Sequence, residues 1–472
     1  MKLKTTQFLP NSSPDTPQSD WGWLHTFILL QFTFQILLLF PQFGVLRVPM
    51  RVGTFALSLL SLVVLVWLRR LQEQSPRHPA TGAAIWVLAI VTMSFCFNPF
   101  LNTVAAGAAQ WAMYAAILAP LFWVRRLKIT PKGFQWLILM MWGFHTLSAC
   151  FGVLQVYFPG QFQPYLSTAI QNSTYGGENL LITLANGAQV YRPMGLTDRP
   201  GGAATAGFYA LLLGVGIALR ERNEILRVAC MGSAAVGLFC IYLSQVRSIL
   251  IFAGICLVCL AVVLFRQGNF GRLTVMTVGI TALVVATFTW AVTIGGESTL
   301  ARLSSLVGDR ADAVYQQNRG NFLEQTFSVL LPQYPLGAGL GRWGMMNSYF
   351  GNNSNSLTQS IWVEIQWTGW LLDGGVPLMI AYVVGLMKAC LTAWKIAICR
   401  QLGDFKFWGG LIFAYNIGAL AITFNYPLFI SQGGMEFWLL NTALFVAASH
   451  SWIEHTESIR WVPPSTDSEP YL

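Results

Sequence analysis

Residues 247–266 read RSILIFAGICLVCLAVVLFR, an apolar run with an arginine at each end and no other charge. At about 1.5 Å rise per residue, a helix of this length crosses the hydrocarbon core of a bilayer. Backbone polar groups in lipid must be satisfied within the segment, and the run is continuous where a barrel strand would alternate. The stretch therefore predicts a transmembrane α-helix.

The composition of the whole chain agrees with this prediction. Of its 472 residues, 54% are hydrophobic and only 10% are charged, whereas a soluble domain needs roughly 25% charged residues to cover its surface. The apolar runs predict an all-α polytopic bundle of about twelve transmembrane helices. The predicted spans are 22–41, 52–68, 82–98, 103–124, 133–157, 203–219, 228–244, 247–265, 273–294, 374–394, 407–424 and 434–450.

Both ends of the chain are polar. Residues 1–21 have no early apolar core and no small-residue cleavage site, so they predict a tail and not a cleaved signal. Residues 451–472 are rich in Pro, Ser, Thr and acidic side chains, which predicts a disordered tail. The transmembrane domain is therefore expected over residues 22–450.

Lysine and arginine collect in every second loop, at the ends of the apolar runs. By the positive-inside rule these loops are cytoplasmic, which places both termini inside. The net charge of +9 is thus a sign of topology and does not indicate a nucleic-acid partner. The clusters are Arg69, Arg70 and Arg77; Arg125, Arg126, Lys128 and Lys132; Arg220, Arg222 and Arg227; Arg266 and Arg272; Lys388, Lys395, Arg400 and Lys406.

The remaining, outer loops contain arginine but no lysine. One explanation is that lysine is simply the commoner topology residue. The other is selection for planar, bidentate recognition of an anion, which arginine provides and lysine does not. These arginines are Arg47, Arg51, Arg192, Arg199, Arg247, Arg302, Arg310, Arg319 and Arg342.

Two outer loops, 158–202 and 295–373, are long enough to hold a site. The first ends in RPMGLTDRP, where Arg192 and Arg199 stand seven residues apart. They would clamp an anion at the membrane surface, with Gly195 and the prolines shaping a tight loop. The alternative is an interfacial arginine paired with the neighbouring aspartate.

Two further arginines lie at predicted helix ends. Arg247 sits in the short turn SQVRS between two spans, where either snorkelling or anion binding explains it. Arg319 opens an amphipathic segment, RGNFLEQTFSVLL, in the large loop. A helix N-terminus adds its own preference for anions.

The string GLGRWG over residues 339–344 matches a dinucleotide-binding fingerprint, but the strand–turn–helix context that this motif needs is missing. We interpret it as a chance match. Pro335, Gly337, Gly339 and Gly341 instead predict a backbone that bends sharply or approaches a ligand closely.

Two carboxylates are candidates for catalysis. Glu364 and Asp373 stand nine residues apart among tryptophans, just before a span, and on a helix they would fall on roughly one side. A carboxylate in such surroundings suits a general base for a hydroxyl. The alternative is a polar helix end with aromatic anchors. His145 is expected to be a packed polar residue of the bundle.

None of the eight cysteines shows metal-ligand spacing, so we predict neither a metal site nor disulfides.

Together, RPMGLTDRP before a span, SQVRSIL between two spans, and RGNF followed by PLGAGLG in the large loop resemble the O-antigen ligase and O-antigen polymerase family of bacterial envelope glycosyltransferases. The resemblance covers about residues 185–395. It implies a metal-independent, inverting enzyme of the multi-spanning (GT-C-like) type in the inner membrane. Its active loops would be periplasmic, its donor a polyprenyl (undecaprenyl) diphosphate-linked glycan, and it would need no cofactor.

By position in these motifs, Arg192, Arg247 and Arg319 would bind the diphosphate, with Arg199 and Arg342 as further candidates. The acceptor would be another lipid-linked glycan in a polymerase, or a lipid or protein in a ligase, and other polysaccharide-assembly proteins are possible partners.

The chain departs from the ligase pattern in one respect. Ligases of the family carry a histidine before an acidic residue and a glycine that lead into a span. Aligning Asp373 and Gly374 with those two residues places Glu364 where the histidine would be. This favours a polymerase or a relative over a ligase. A transporter and a scaffold protein are the alternatives from other classes, although the spans offer neither central charges nor the interruptions typical of transporters.

Overall fold

The computed structural model describes residues 21–68, 75–163, 181–197, 201–304, 320–352, 354 and 356–460, and within these ranges the regular secondary structure is helical apart from one short hairpin. In chain order the α-helices are α1 (Trp21–Leu37), α2 (Arg47–Leu68), α3 (Thr81–Phe97), α4 (Val104–Leu118), α5 (Pro120–Trp123), α6 (Pro131–Tyr157), α7 (Pro159–Phe162), α8 (Ala203–Arg220), α9 (Glu224–Ser244), α10 (Arg247–Arg266), α11 (Phe270–Ser304), α12 (Asn321–Gln325), α13 (Leu331–Gln333), α14 (Gly344–Phe350), α15 (Gln366–Ile398), α16 (Phe405–Ile422) and α17 (Gln432–Arg460).

Short 3₁₀ and π segments connect some of these helices. The 3₁₀ turns are Pro41–Leu46, Val124–Arg126, Ser356–Thr358, Arg400–Leu402 and Leu428–Ile430, and the π segment is Thr326–Leu330.

Nine helices in the described ranges are long and apolar enough to cross a membrane: α2, α4 continued to Arg126, α6, α8, α9, α10, α11 up to Glu297, α15 and α16. The chain is therefore a multi-pass, all-α membrane protein. The three other predicted spans coincide with α1, α3 and α17. The first two are apolar but shorter, and α17 is not among the nine. Their crossing of the membrane stays a prediction.

Helix α8 forms the centre of the bundle. From Ala203 to Ala218 every residue except Thr205 is buried, and α6 and α9 pack along it. Small residues in α8 let its neighbours approach closely, which is how helices pack in a membrane, where lipid gives no hydrophobic drive for association.

One end of the bundle gathers the basic loops. Arg220, the last residue of α8, forms an ion pair with Asp404 before α16. Nε2 of Gln267, after α10, donates to the carbonyl oxygens of Ala397 at 3.0 Å and Lys406 at 2.9 Å. We call this the basic end, and the opposite end, where the two long loops lie, the loop end.

At the loop end, α15 is broken at Gly374 and Gly375, whose backbone angles are not helical. The loop before α14 fills the break. The amide of Val376 donates to the carbonyl oxygen of Pro335 at 3.0 Å, and the amide of Ala338 donates to that of Leu372 at 2.7 Å. Backbone groups that the break releases are therefore satisfied by the loop, as burial in a membrane bundle requires.

The long loops contain two further elements. A two-stranded antiparallel hairpin, β1 (Leu181–Thr183) with β2 (Gln189–Tyr191), lies before the RPMGLT stretch; the sequence did not predict it. In the second loop, the predicted amphipathic segment is helical over α12, the π turn and α13. Its first predicted residue, Arg319, lies outside the described ranges.

Candidate functional site

The RPMGLT stretch is held in place by two polar side chains of α6. Oε1 of Gln155 accepts hydrogen bonds from the amides of Met194 and Gly195, both at 2.8 Å. Nε2 of Gln155 donates to the Gly195 carbonyl at 2.8 Å, and Oγ of Ser148 accepts from the amide of Leu196 at 3.0 Å. The loop backbone is thus fixed from within the bundle.

Gly195 is required at its position in this loop. Its φ is +65°, a left-handed conformation, and a Cβ there would lie 2.6 Å from Oγ of Ser148. Any side chain would be strained and would collide with the hydroxyl that anchors the loop. The predicted role of Gly195 in loop geometry therefore has a specific cause.

The same loop passes beside the turn that carries Arg247. A Cβ on Gly201 would lie 4.0 Å from Cδ of Arg192 and 3.2 Å from Cγ2 of Val246. Arg247 follows Val246 directly as the first residue of α10. Two arginines from separate sequence motifs are therefore carried by adjacent loops at the loop end. Arg199, which was predicted beside them, lies outside the described residues.

The turn before α10 has an unusual backbone. Gln245 has φ +53° and is the described non-glycine residue with positive φ. Its Nε2 donates to Oγ1 of the buried Thr299 at 3.3 Å. Such conformations are uncommon for side-chain-bearing residues and cluster at functional sites. The turn is therefore fixed against the start of the second long loop.

Arg342 is buried and forms hydrogen bonds within the protein. It is only 3% exposed. Its guanidinium donates to the carbonyl oxygen of Ala338 at 3.2 Å and to that of Gln359 at 3.2 and 3.0 Å, and it lies over the ring of Tyr334. Because these carbonyls engage all three nitrogens of a guanidinium that is almost fully buried, the geometry argues against the predicted contact with a diphosphate. Arg342 instead holds the large loop together.

Asp373 is likewise buried and hydrogen-bonded through both of its oxygens. It is 0% exposed. Oδ2 accepts from Tyr114 Oη at 2.7 Å and Gln110 Nε2 at 3.1 Å, and Oδ1 accepts from Trp343 Nε1 at 2.9 Å. These donors come from α4 and from the large loop. The carboxylate therefore joins α4, α15 and the loop, and this arrangement argues against its predicted catalytic role.

Glu364 lies before α15, in a segment without helical structure, so the prediction that it shares one side of a helix with Asp373 is wrong. The reason is tertiary: the amide of Gln366, the first residue of α15, donates to the Thr423 carbonyl at 3.0 Å. Glu364 is half-buried and accepts a hydrogen bond from Trp362 Nε1 at 2.9 Å.

The glycines of the large loop serve close packing. Gly337, Gly339 and Gly341 all have positive φ. A Cβ on Gly339 would lie 2.7 Å from the carbonyl oxygen of Phe100, in the connection between α3 and α4. The predicted sharp bends are thus present, and what approaches this backbone closely is another part of the chain.

A cavity of about 280 Å³ opens at the loop end between α1, α2, α6, α8, α14 and α17. Its wall is mostly apolar, with a few polar side chains. These are Gln35, Arg51, Thr54, His145, Ser148, Thr197, Thr205, Tyr349, Tyr426, Ser431, Gln432 and Glu436. An apolar cleft with a small number of polar groups is the usual form of a ligand site.

Glu436 and His145 face each other in this cavity. Glu436 is 8% exposed and His145 is 7% exposed, and Oε2 of the glutamate lies 3.8 Å from Nε2 of the histidine. Nε2 of Gln432 donates to Oε1 of Glu436 at 3.1 Å, and Nε2 of Gln35 donates to Oε1 of Gln432 at 2.7 Å. The His145 ring stacks on Tyr209 with centroids 4.3 Å apart.

On another wall of the cavity, Nη1 of Arg51 donates to Oη of Tyr349 at 3.2 Å. This contact ties the start of α2 to α14 of the large loop. The cavity therefore has a cation and a carboxylate among its lining residues, which together suit a substrate with both an anionic group and hydroxyls.

The cavity and the arginine loops are neighbours. Thr197 and Gly202 line the cavity, and Gly201 between them lies close to Arg192 and Val246, since a Cβ added to it would meet both side chains. One wall of the cavity is thus made by the stretch that carries Arg192. Glu364 and Asp373 are not among its lining residues.

Sequence reasoning missed Glu436. A signal was present, because a carboxylate within the predicted span 434–450 is by default a candidate functional group. His145 packs against aromatic rings as expected, but its place in the cavity depends on a partner far along the chain. Within the ranges that the structure describes, no group of three or more His, Cys, Asp or Glu side chains is placed to hold a metal ion.

Comparison with known proteins adds no family. No protein-family model matches the chain, and no curated protein matches it.

Proposed function

We propose that the chain is a membrane glycosyltransferase that polymerises or transfers polyprenyl-diphosphate-linked glycan units during assembly of a bacterial surface polysaccharide, such as O-antigen or exopolysaccharide. The observation that carries the proposal is the loop-end cavity, which contains a carboxylate and shares a wall with the loop of Arg192 and the neighbouring turn of Arg247. A donor diphosphate and an acceptor hydroxyl would thus meet at one place.

The arginines would bind the leaving group. As the glycosidic bond to the diphosphate breaks, negative charge grows on the phosphate oxygens. A guanidinium group can donate two parallel hydrogen bonds to such oxygens, and it stabilises the negative charge as it develops. We assign this role to Arg192 and Arg247, and keep Arg319 and Arg199, outside the described ranges, as further candidates. Arg342 is left out because it is buried and all three of its guanidinium nitrogens hydrogen-bond to carbonyl oxygens of the protein.

The distribution of basic residues supports one membrane orientation. With the basic end in the cytoplasm, the cavity faces the periplasm or cell exterior, and about twelve spans place both termini inside. The donor lipid would then remain in the bilayer while its diphosphate and glycan reach the loop end. The acceptor would be a second lipid-linked glycan in a polymerase, or a lipid or protein in a ligase.

Arginine-to-lysine variants test the donor site. Arg192→Lys and Arg247→Lys keep the charge but lose the planar guanidinium that donates two parallel hydrogen bonds. Each should therefore lower polymer formation by roughly 10²-fold. Arg227→Lys, in a surface pair at the basic end, is the matched control. The assay uses lipid-linked glycan extracted from a strain lacking the gene, incubated with purified protein. Normal polymer from both variants would exclude the proposed donor site.

Transport of a lipid-linked glycan is the second candidate, and two observations favour it. Glu436 and His145 form a buried ionisable pair, and α15 is broken; both features are common in transporters. Glu436 and the break in α15 lie near the outer ends of the predicted spans 434–450 and 374–394, so the expectation that the span centres have neither feature stays a prediction. In proteoliposomes, a transporter would move the glycan without new glycosidic bonds, whereas a transferase would release polyprenyl diphosphate.

A further inference from the structure

The strongest unassigned feature of the molecule is the carboxylate in the loop-end cavity. Glu436 belongs to α17 and is nearly buried. A carboxylate in an apolar bundle is costly unless other groups hydrogen-bond to it. Its retention there needs a reason, and its side chain is among those that line the cavity.

The protein holds this carboxylate in one orientation. Gln432 donates to Oε1 and is itself held by Gln35 of α1. Because side chains of α1 and α17 both contribute to this network, the carboxylate is pre-oriented, as a catalytic group must be.

His145 supplies the second, independent observation. It is buried to more than nine-tenths, it lines the cavity, and its Nε2 makes no hydrogen bond within the protein. The same nitrogen lies 3.8 Å from Oε2 of Glu436. Buried polar atoms nearly always have a partner. An Nε2 that has none, beside a carboxylate in a cavity, indicates that a ligand or a transferred proton completes its bonding.

We propose that the loop-end cavity is the acceptor site, that it binds a sugar with a free hydroxyl, and that Glu436 is the general base for that hydroxyl. This inference rests on the proposed transferase function. The aromatic side chains of Phe34, Tyr349 and Tyr426 in the wall suit the C–H face of a sugar ring, while Glu436 and Arg51 suit its hydroxyls.

The reaction then balances as follows. The acceptor oxygen attacks the anomeric carbon of the donor glycan, and its proton moves to the Glu436 carboxylate. The bond between the anomeric carbon and the phosphate oxygen breaks, and its electron pair leaves with polyprenyl diphosphate, whose charge Arg192 and Arg247 stabilise. The proton passes from Glu436 to Nε2 of His145 and then to water. One glycosidic bond forms, one glycosyl phosphate bond breaks, and no oxidant or metal is needed.

Glu436→Gln tests the base. The amide keeps the shape and accepts from Gln432, but it cannot take a proton. With lipid-linked glycan from a strain lacking the gene as substrate, kcat should fall roughly 10²-fold or more, the range for a lost general base, while KM changes little. Glu224→Gln, an exposed carboxylate at the basic end, is the matched control and should keep full activity.

Thr205→Trp is a second test that leaves the carboxylate in place. Thr205 lines the cavity and is the exposed residue in the first turns of α8, so a large side chain there fills the acceptor site without entering the core. We expect it to abolish transfer even if Glu436→Gln proves unstable. Equal kcat for folded Glu436→Gln and wild type, or normal polymer from Thr205→Trp, overturns the inference.

The outcomes separate the two proposals. If wild type makes no polymer and releases no polyprenyl diphosphate, the transferase function itself fails. If wild type is active and Arg192→Lys is not, while Glu436→Gln retains wild-type kcat, the function stands and only the assignment of Glu436 and the acceptor site fails.

Discussion

Two regions at the loop end contain buried charges, and they differ in how those charges are satisfied. At the break in α15, Asp373 of α15 accepts three hydrogen bonds and Arg342 of the loop that fills the break donates three, all of them with protein groups. In the cavity, Nε2 of His145 has no hydrogen bond and faces Glu436 across 3.8 Å. Burial of a charge alone therefore does not mark a site; an incomplete hydrogen-bond set facing a cavity does.

The largest loss of stability is expected when Asp373 is replaced. Replacing it by alanine leaves the donors of Gln110, Tyr114 and Trp343 unsatisfied in a buried place. At about 1–3 kcal/mol for each buried donor, the expected loss of stability is more than about 3 kcal/mol. The loss of stability is measured as the change in melting temperature of the purified protein in detergent, with size-exclusion chromatography monitoring the unfolding. A melting temperature equal to that of wild type would show that Asp373 is not structural.

Arg342→Lys should have the next largest effect. Lysine cannot reach the carbonyl oxygens of Ala338 and Gln359 together, so at least one hydrogen bond from a charged donor is lost, about 1.5–3 kcal/mol. We expect a lower melting temperature, while the fraction of the variant that is folded turns over the lipid-linked glycan at the wild-type rate. Unchanged stability with lost turnover would instead restore the predicted role of Arg342 in binding the diphosphate.

Gly195→Ala should cost about 1–2 kcal/mol, because an L-residue in the left-handed region is strained and its Cβ would meet Oγ of Ser148. Since this loop carries Arg192, we expect activity to fall further than stability. Measuring KM for the lipid-linked glycan beside the melting temperature separates the two effects. Equal values for variant and wild type would mean that the loop tolerates distortion.

Arg227→Ala removes the exposed pair with Glu224 at the basic end and should change stability by less than about 0.5 kcal/mol. This is the smallest change in stability expected in the series. Variants in the two buried regions are compared with it. A loss of activity in this variant, assayed with the same lipid-linked glycan, would contradict the placement of the site at the loop end.

Much of the fold follows from local sequence. The apolar runs place each predicted span on a helix, because the length and continuity of such runs are properties of neighbouring residues. Alternation of the loops predicted that RPMGLT and the Arg247 turn lie on the same side of the membrane, but their lying side by side required the tertiary structure. The start of α15 was not, because it depends on the contact between Gln366 and Thr423.

The roles of the buried charges required the tertiary structure. Asp373 looked catalytic because its neighbours in sequence are tryptophans, but the donors that saturate it include Gln110 and Tyr114 of α4. Glu436 was hidden because one charge in an otherwise apolar run barely changes a span prediction. Its partner His145 lies on α6, and nothing local in the sequence joins the two helices.

The central claim is that the loop-end cavity is where a lipid-linked glycan reacts. A structure of the protein with lipid-linked glycan from a strain lacking the gene tests it most directly. We expect the diphosphate within hydrogen-bond distance of Arg192, and a sugar hydroxyl in the cavity within hydrogen-bond distance of Glu436. A glycan bound away from both residues, with the cavity closed or filled by acyl chains, would contradict the account.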